Sequence, residues 1–222
     1  MTRHFDVELN ELREKLSNMA SLVENMIDTA IKALMERKAE LLGGIFNNET
    51  EVNNKHLEVD ELCLKLLALR QPAGIDLRFI TSAMKINAEL ERIGDQAVNI
   101  AQNTTNLIQQ PFFIKLELIP RMTEISKAMV NDCIKAFINK DVELAKNILL
   151  RDNELDQLKR DVFRKLIGNI TENPAQTEYF LDLLLISRNL EKIGDHTTNI
   201  SEDVIFMVLG QDIRHHHLFD KH

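Results

Sequence analysis

The chain has 222 residues, 44% of them hydrophobic and 28% charged, a balance that buries a core and excludes a disordered chain. A formal net charge of −8 lacks the basic excess that phosphate backbones demand, which excludes a nucleic-acid-binding body and leaves room for cations and basic partners. Seven glycines and four prolines are too few for the turns of an all-β protein and point to long helices.

The first predicted helix runs from about Asp6 to Arg37, with no apolar leader ahead of it in Met1–Asn10. The second runs from about Ala39 to Leu69, loosened by Gly43-Gly44, and stops at Gln71-Pro72-Ala73-Gly74. The third is expected from Asp76, read as its N-cap, to Gln109, and Pro111 then marks a boundary. A fourth helix is predicted over about Pro120 to Asn139, a fifth over Asp141 to Asn169, and a sixth over Ala175 to Leu209, closed by Gly210. The longest apolar runs, Leu183–Ile186 and Val204–Leu209, fall far short of the roughly 20 residues a membrane span needs. Cys63 and Cys133 sit in apolar helical patterns and read as reduced core thiols of a cytoplasmic protein. Met19, Met26, Met84 and Met129 read as core filler.

The two halves repeat each other. Met26, Ile31, Lys32, Ala33, Glu40 and Leu41 recur 103 residues later as Met129, Ile134, Lys135, Ala136, Glu143 and Leu144. Leu90-Glu91-Arg92-Ile93-Gly94-Asp95 recurs 100 residues later as Leu190-Glu191-Lys192-Ile193-Gly194-Asp195. The lost residues belong in a loop, so the repeat is a folded unit, and its period is too long for a solenoid. At 100° per residue Ile86, Leu90, Ile93, Ala97 and Ile100 share one face, as do Ile186, Leu190, Ile193, Thr197 and Ile200. One apolar stripe per long helix is the pattern of an antiparallel bundle. The expected architecture is all-α, two tandem three-helix bundles spanning residues 1–110 and 111–222.

Glu91, Asp95 and Asn99 lie at i, i+4, i+8, as do Glu191, Asp195 and Asn199, so each trio stacks on one helix face. Paired carboxylates and a mid-helix glycine both weaken a helix, yet the chain carries both twice. Gly94 and Gly194 suggest a close approach by a backbone or ligand. The second helices add Asp152 and Asp156 in one half and Glu49 and Asn53 in the other. Glu91, Asp95, Glu191, Asp195, Asp152, Asp156 and Glu49 are therefore the candidate metal ligands, oxygen donors suited to a hard or borderline cation. With Asp156 opposite Asn53, the second half is expected to bind more tightly. The competing reading is a solvated acidic face, its charge partly offset by Arg92 and Lys192. No nucleophile–base set and no glycine-rich phosphate loop is visible, so no catalytic residues are assigned.

Ala88–Asp95, its echo Asn189–Asp195, Arg70-Gln71-Pro72 before Asp76-Leu77-Arg78, and the ending Gly210–His215 resemble the PhoU family over nearly the whole chain. That resemblance implies two three-helix bundles, a homodimer, and acidic motifs carrying iron, with zinc or another divalent cation as alternatives. It also implies a non-enzymatic negative regulator that couples the ATPase of a Pst-type phosphate transporter to a PhoR-like sensor kinase. The alternative is a carboxylate-bridged helical-bundle metalloenzyme, although such sites use Glu-x-x-His pairs that are missing from the motif here. Arg70, Asp76 and Arg78 form either a docking corner or helix-end capping, and His215-His216-His217 is a tail run of unassigned role.

Overall fold

The computed structural model describes residues 4–111 and 114–213, so the His215–His217 run lies outside the described residues. Six long α-helices are present: α1 (His4–Glu36), α2 (Gly43–Arg70), α3 (Ile75–Gln109), α4 (Leu118–Asn139), α5 (Val142–Glu172) and α6 (Thr177–Leu209). Among the described residues there is no strand. α1, α2 and α3 pack on one another, α4, α5 and α6 do the same, and α3 lies along α6 in the most extensive contact of the molecule. α1 also packs on α4, so two contacts join the halves.

The ends of the helices follow local chemistry with some departures from expectation. Asp76 does not cap α3. Gly74, at φ +58°, takes the N-cap position and Asp76 stands in the first turn, where its charge still favours the helix N-terminus. Gly43 and Gly44 open α2 after a short 3₁₀ turn at Ala39–Leu41 instead of interrupting a longer helix. Asp141 does cap α5, its carboxylate accepting from the Leu144 N–H at 2.9 Å. The repeat reaches the backbone: Arg37 and Lys140, 103 residues apart, both end their helices at left-handed φ of 56° and 57°. Arg37 then donates to the Ile108 and Gln110 carbonyls, tying the end of α1 to the end of α3.

The two predicted apolar stripes are buried without exception. α3 and α6 bury more than a stripe, however, because each faces its own bundle on one side and the other third helix on the other. The second face is partly polar. Glu89, which is 9% exposed, accepts from the His196 ring Nδ1 at 2.7 Å, from Asn199 at 3.1 Å and from Arg92 at 2.8 Å. Burial alone pushes the Glu89 carboxyl up, but the bonds from His196 and Asn199, with the charges of His196 and Arg92, outweigh it and hold the pKa below the ordinary carboxylate value. Ser82 and Lys85 of α3 bind the Asp203 carbonyl and carboxylate of α6. Phe79 of α3 stacks on Phe137 of α4 with centroids 4.8 Å apart, a third joint between the halves. Cys63 and Cys133 are buried and unlinked, and burial raises both thiols, that of Cys63 to about 12. Met19, Met26 and Met129 are fully buried.

Candidate functional site

Each acidic motif sits where a third helix touches the second helix of its own half, and the glycine is the point of touching. A Cβ at position 194 would lie 2.6 Å from Leu155 Cδ2 and 2.9 Å from Asp152 Oδ1. Gly194 therefore lets α5 approach until the Asp152 carboxylate rests against the α6 backbone. At Gly94 the equivalent neighbour is Val52, whose Cγ1 would be 3.4 Å away. The first-half contact is looser and apolar.

Four predicted ligands come together in the second half. Asp152 is pushed up to about 7, first by burial and then by the charges of Asp195, Asp156 and Glu191, with Lys159 opposing. Asp195 is raised by burial and by Glu191 and Asp156. Asp152 Oδ1 is buried and has no hydrogen-bond partner. In the first half Glu91 is raised by burial and by Asp95, but the group of α2 that acts on it is His56. Glu49, half-buried on α2, is not among the charges acting on Glu91, and Asn53 is exposed.

Lys159 and His56 are the residues that sequence reasoning missed. They occupy matching positions, 103 apart. Lys159 follows Asp152 and Asp156 at i+7, on the same face of α5, and its ammonium donates to Glu191. That hydrogen bond, followed by the surrounding carboxylates, raises the Lys159 pKa. His56 Nδ1 is buried without a partner, and its Nε2 stands 3.5 Å from Asp60 Oδ2. Continuing the i, i+4, i+7 ladder one step further along α5 points to Lys159, and the 103-residue offset then leads to His56.

The donor set of the second half suits a hard cation in kind: carboxylate oxygens, one of them bare, in a site that repels its own charges. As they stand, no three acidic, histidine or cysteine side chains among the described residues converge closely enough to hold an ion. Lys159 supplies part of the compensating charge.

Both arginines of the Arg70–Arg78 corner have partners within the chain. Arg70 grips both carboxylate oxygens of Glu8 at 2.8 Å, and Arg78 Nε donates to the Met207 carbonyl at 3.0 Å, joining α3 to the end of α6. No helix among the described residues is long and apolar enough to cross a membrane.

A family model described as the PhoU domain matches residues 16–104 and again 119–204. The chain is 34% identical over 216 residues to the phosphate-specific transport system accessory protein PhoU homolog of Pseudomonas putida, covering 97% of this chain and 84% of that protein. It is 32% identical over 214 residues to the phosphate-specific transport system accessory protein PhoU of Escherichia coli, covering 95% and 88% respectively. Its fold superposes on the crystal structure of PhoU from Pseudomonas aeruginosa with a TM-score of 0.89, at 32% identity, over 94% of this chain and 100% of the other.

Two outcomes follow from this geometry. Alanine at either glycine gains about 1 kcal/mol of helix propensity. At Gly194 it also overpacks the Leu155–Asp152 contact, which costs about 1–3 kcal/mol. Thermal melts should place Gly94→Ala above the parent and Gly194→Ala below it. Equal shifts would mean that the Leu155 and Asp152 side chains turn aside for the added Cβ at little cost. The second outcome concerns Asp152. Its folded carboxyl keeps a proton up to about pH 7, whereas the unfolded one loses it near pH 4, so stability falls as pH rises through this window and stays lost above it. Asp152→Asn should thus be more stable than the parent at pH 8, by about 1–2 kcal/mol once solvent screening of the half-buried cluster is allowed for, with the gain shrinking toward pH 5. Urea denaturation at both pH values measures this, and a pH-independent difference would contradict it.

Proposed function

The chain belongs to the PhoU family, and on that premise we propose that it is a non-enzymatic, cytoplasmic regulator of phosphate uptake and phosphate-starvation signalling. In this reading it acts as a homodimer on a Pst-type phosphate transporter ATPase and on a PhoR-like sensor kinase, and it keeps starvation genes off when phosphate is plentiful. The relatives are named as accessory proteins of a phosphate-specific transport system, which supports the transporter role. The match that carries this reading spans both halves of the chain, in sequence and in fold.

We also propose that the second-half cluster holds a cation through Asp152, Asp156, Glu191 and Asp195, and that Glu91, Asp95 and Glu49 with His56 nearby form the weaker counterpart. Iron is the first choice, with zinc or another divalent ion as alternatives. When bound, the ion supplies positive charge that offsets the repulsion among the acids. The residues do the rest: Gly194 sets the spacing, Lys159 holds Glu191, and Asp152, pushed up to about 7, would have to give up its proton to serve as a ligand. The acids are half-exposed at the α5–α6 surface, which suits an ion that alters what a partner meets.

Deleting the gene should leave phosphate-starvation genes switched on in phosphate-rich medium. A plasmid carrying the parent should restore repression, and one carrying Asp152→Asn with Asp195→Asn should restore it only weakly. A deletion strain that represses normally would overturn the regulatory reading, and full rescue by the double variant would overturn the role of the cation.

A further inference from the structure

The groove between α5 and α6 has the opposite sign to the chain as a whole, which carries −8. Arg160 and Arg164 of α5 and Arg188 and Lys192 of α6 line it, together with Phe163 and Leu185. Phe163 is 55% exposed and Leu185 43%, so folding leaves two large apolar groups in water among four cations. Arg188 and Lys192 form no ion pair among the described residues. Arg160 and Arg164 make surface contacts within α5, Arg160 to Gln157 at 3.1 and 3.2 Å and to Asp156 at 3.5 Å, Arg164 to Asp161 at 3.2 Å.

The internal repeat provides a control for what the fold itself requires. The acidic motif is present in both halves, but three of the groove's four cations are not. Where the second half has Arg160, Arg164 and Arg188, the first has Leu57, Glu61 and Ala88, and Asp60 stands in place of Phe163. Lys192 keeps a cationic counterpart in Arg92, but the first half builds the same three-helix bundle without the other three, so bundle packing does not explain those.

Their spacing identifies the occupant. Arg160 and Arg164 are one helical turn apart, as are Arg188 and Lys192, about 6 Å along each axis. The helices are consecutive and joined by a short connection, so the cations form two rows along antiparallel neighbours. These rows match carboxylates one turn apart on a third helix laid in the groove, with apolar side chains at i and i+3 or i+4 covering Phe163 and Leu185. A local field of opposite sign to the rest of the surface also steers such a partner to this face. We propose that the α5–α6 groove is a docking site for an acidic amphipathic helix of a partner protein. This goes beyond the functional reading above, which names partners but not what they present. Its test changes none of the proposed cation ligands, although Glu191 and Asp195 also line the groove and Arg160 pairs with Asp156.

The test places a photo-crosslinking p-benzoylphenylalanine at position 163 of the full chain in its own cells, with the same group at position 60 as the first-half control. Mass spectrometry identifies the segment joined to it. The expected adduct is an acidic amphipathic helical segment of another protein, captured at position 163 and not at 60. A synthetic peptide of that segment should bind the purified chain, more weakly as salt is raised. Its affinity should fall about tenfold or more in Arg160→Glu with Arg164→Glu, and separately in Arg188→Glu on the other helix. Melting curves confirm that each variant is folded, and either variant alone suffices. The proposal is overturned if position 163 gives no adduct, if the adduct is a second copy of this chain, a lipid or a segment without acidic residues, or if charge reversal in a folded variant leaves the affinity unchanged.

Discussion

The approach of α5 to α6 at Gly194 is the constraint from which the candidate site follows. With no Cβ there, Leu155 and Asp152 settle directly against the α6 backbone. The same contact strips water from the Asp152 carboxylate and sets it among Asp156, Glu191 and Asp195. A helix pair that kept its distance would leave these acids in solvent, where repulsion amounts to a few tenths of a kcal/mol. Packing converts an ordinary charged face into a cluster that holds a proton to about pH 7 and leaves one oxygen without a partner. Lys159 shows how the chain tolerates this: one ammonium, bound to Glu191, supplies part of the missing positive charge.

The position of that cluster depends in turn on the seam between α3 and α6. Both third helices are packed on two sides, so neither is free to slide relative to its own bundle. Glu89 sits in the seam with three donors, and Lys85 reaches Asp203 across it. The polar seam and the apolar stripes bury opposite sides of the same two helices. The outer edge that remains carries the acids, and next to it on α5 and α6 runs the cationic groove. Acid cluster and groove therefore share one rigid platform, and Glu191 and Asp195 border both.

Much of this was legible in the sequence because it is periodic. The stripes of Ile86–Ile100 and Ile186–Ile200 gave the buried faces, and the 103- and 100-residue offsets gave the duplication. Legibility stopped where a residue's role depends on what crosses from another helix. Glu89 reads as an ordinary surface acid beside Glu91, and only the arrival of His196 and Asn199 from the other half makes it a buried anchor. Lys159 looked like one more charge on a solvated face until α6 brought Glu191 to it. Asp76 met every local rule for a cap, yet Gly74 took the position because its left-handed φ turns the chain out of the Pro72 break. Gly94 and Gly194 were equal in sequence but not in the fold, since Val52 in one half is Leu155 in the other.

We propose that the second-half cluster accepts a cation. The direct measurement is thermal unfolding of chelator-treated protein with and without iron(II), comparing the parent with Asp152→Asn plus Asp195→Asn. This pair removes repulsion while leaving Glu191 to Lys159. Without metal the variant should be at least as stable as the parent. With free metal about 100-fold above its dissociation constant the parent should gain about 2.7 kcal/mol, and the variant should lose most of that gain. An equal metal-dependent rise in both proteins, or none in the parent with iron(II) or zinc, would mean that the four carboxylates are a solvated surface and nothing more.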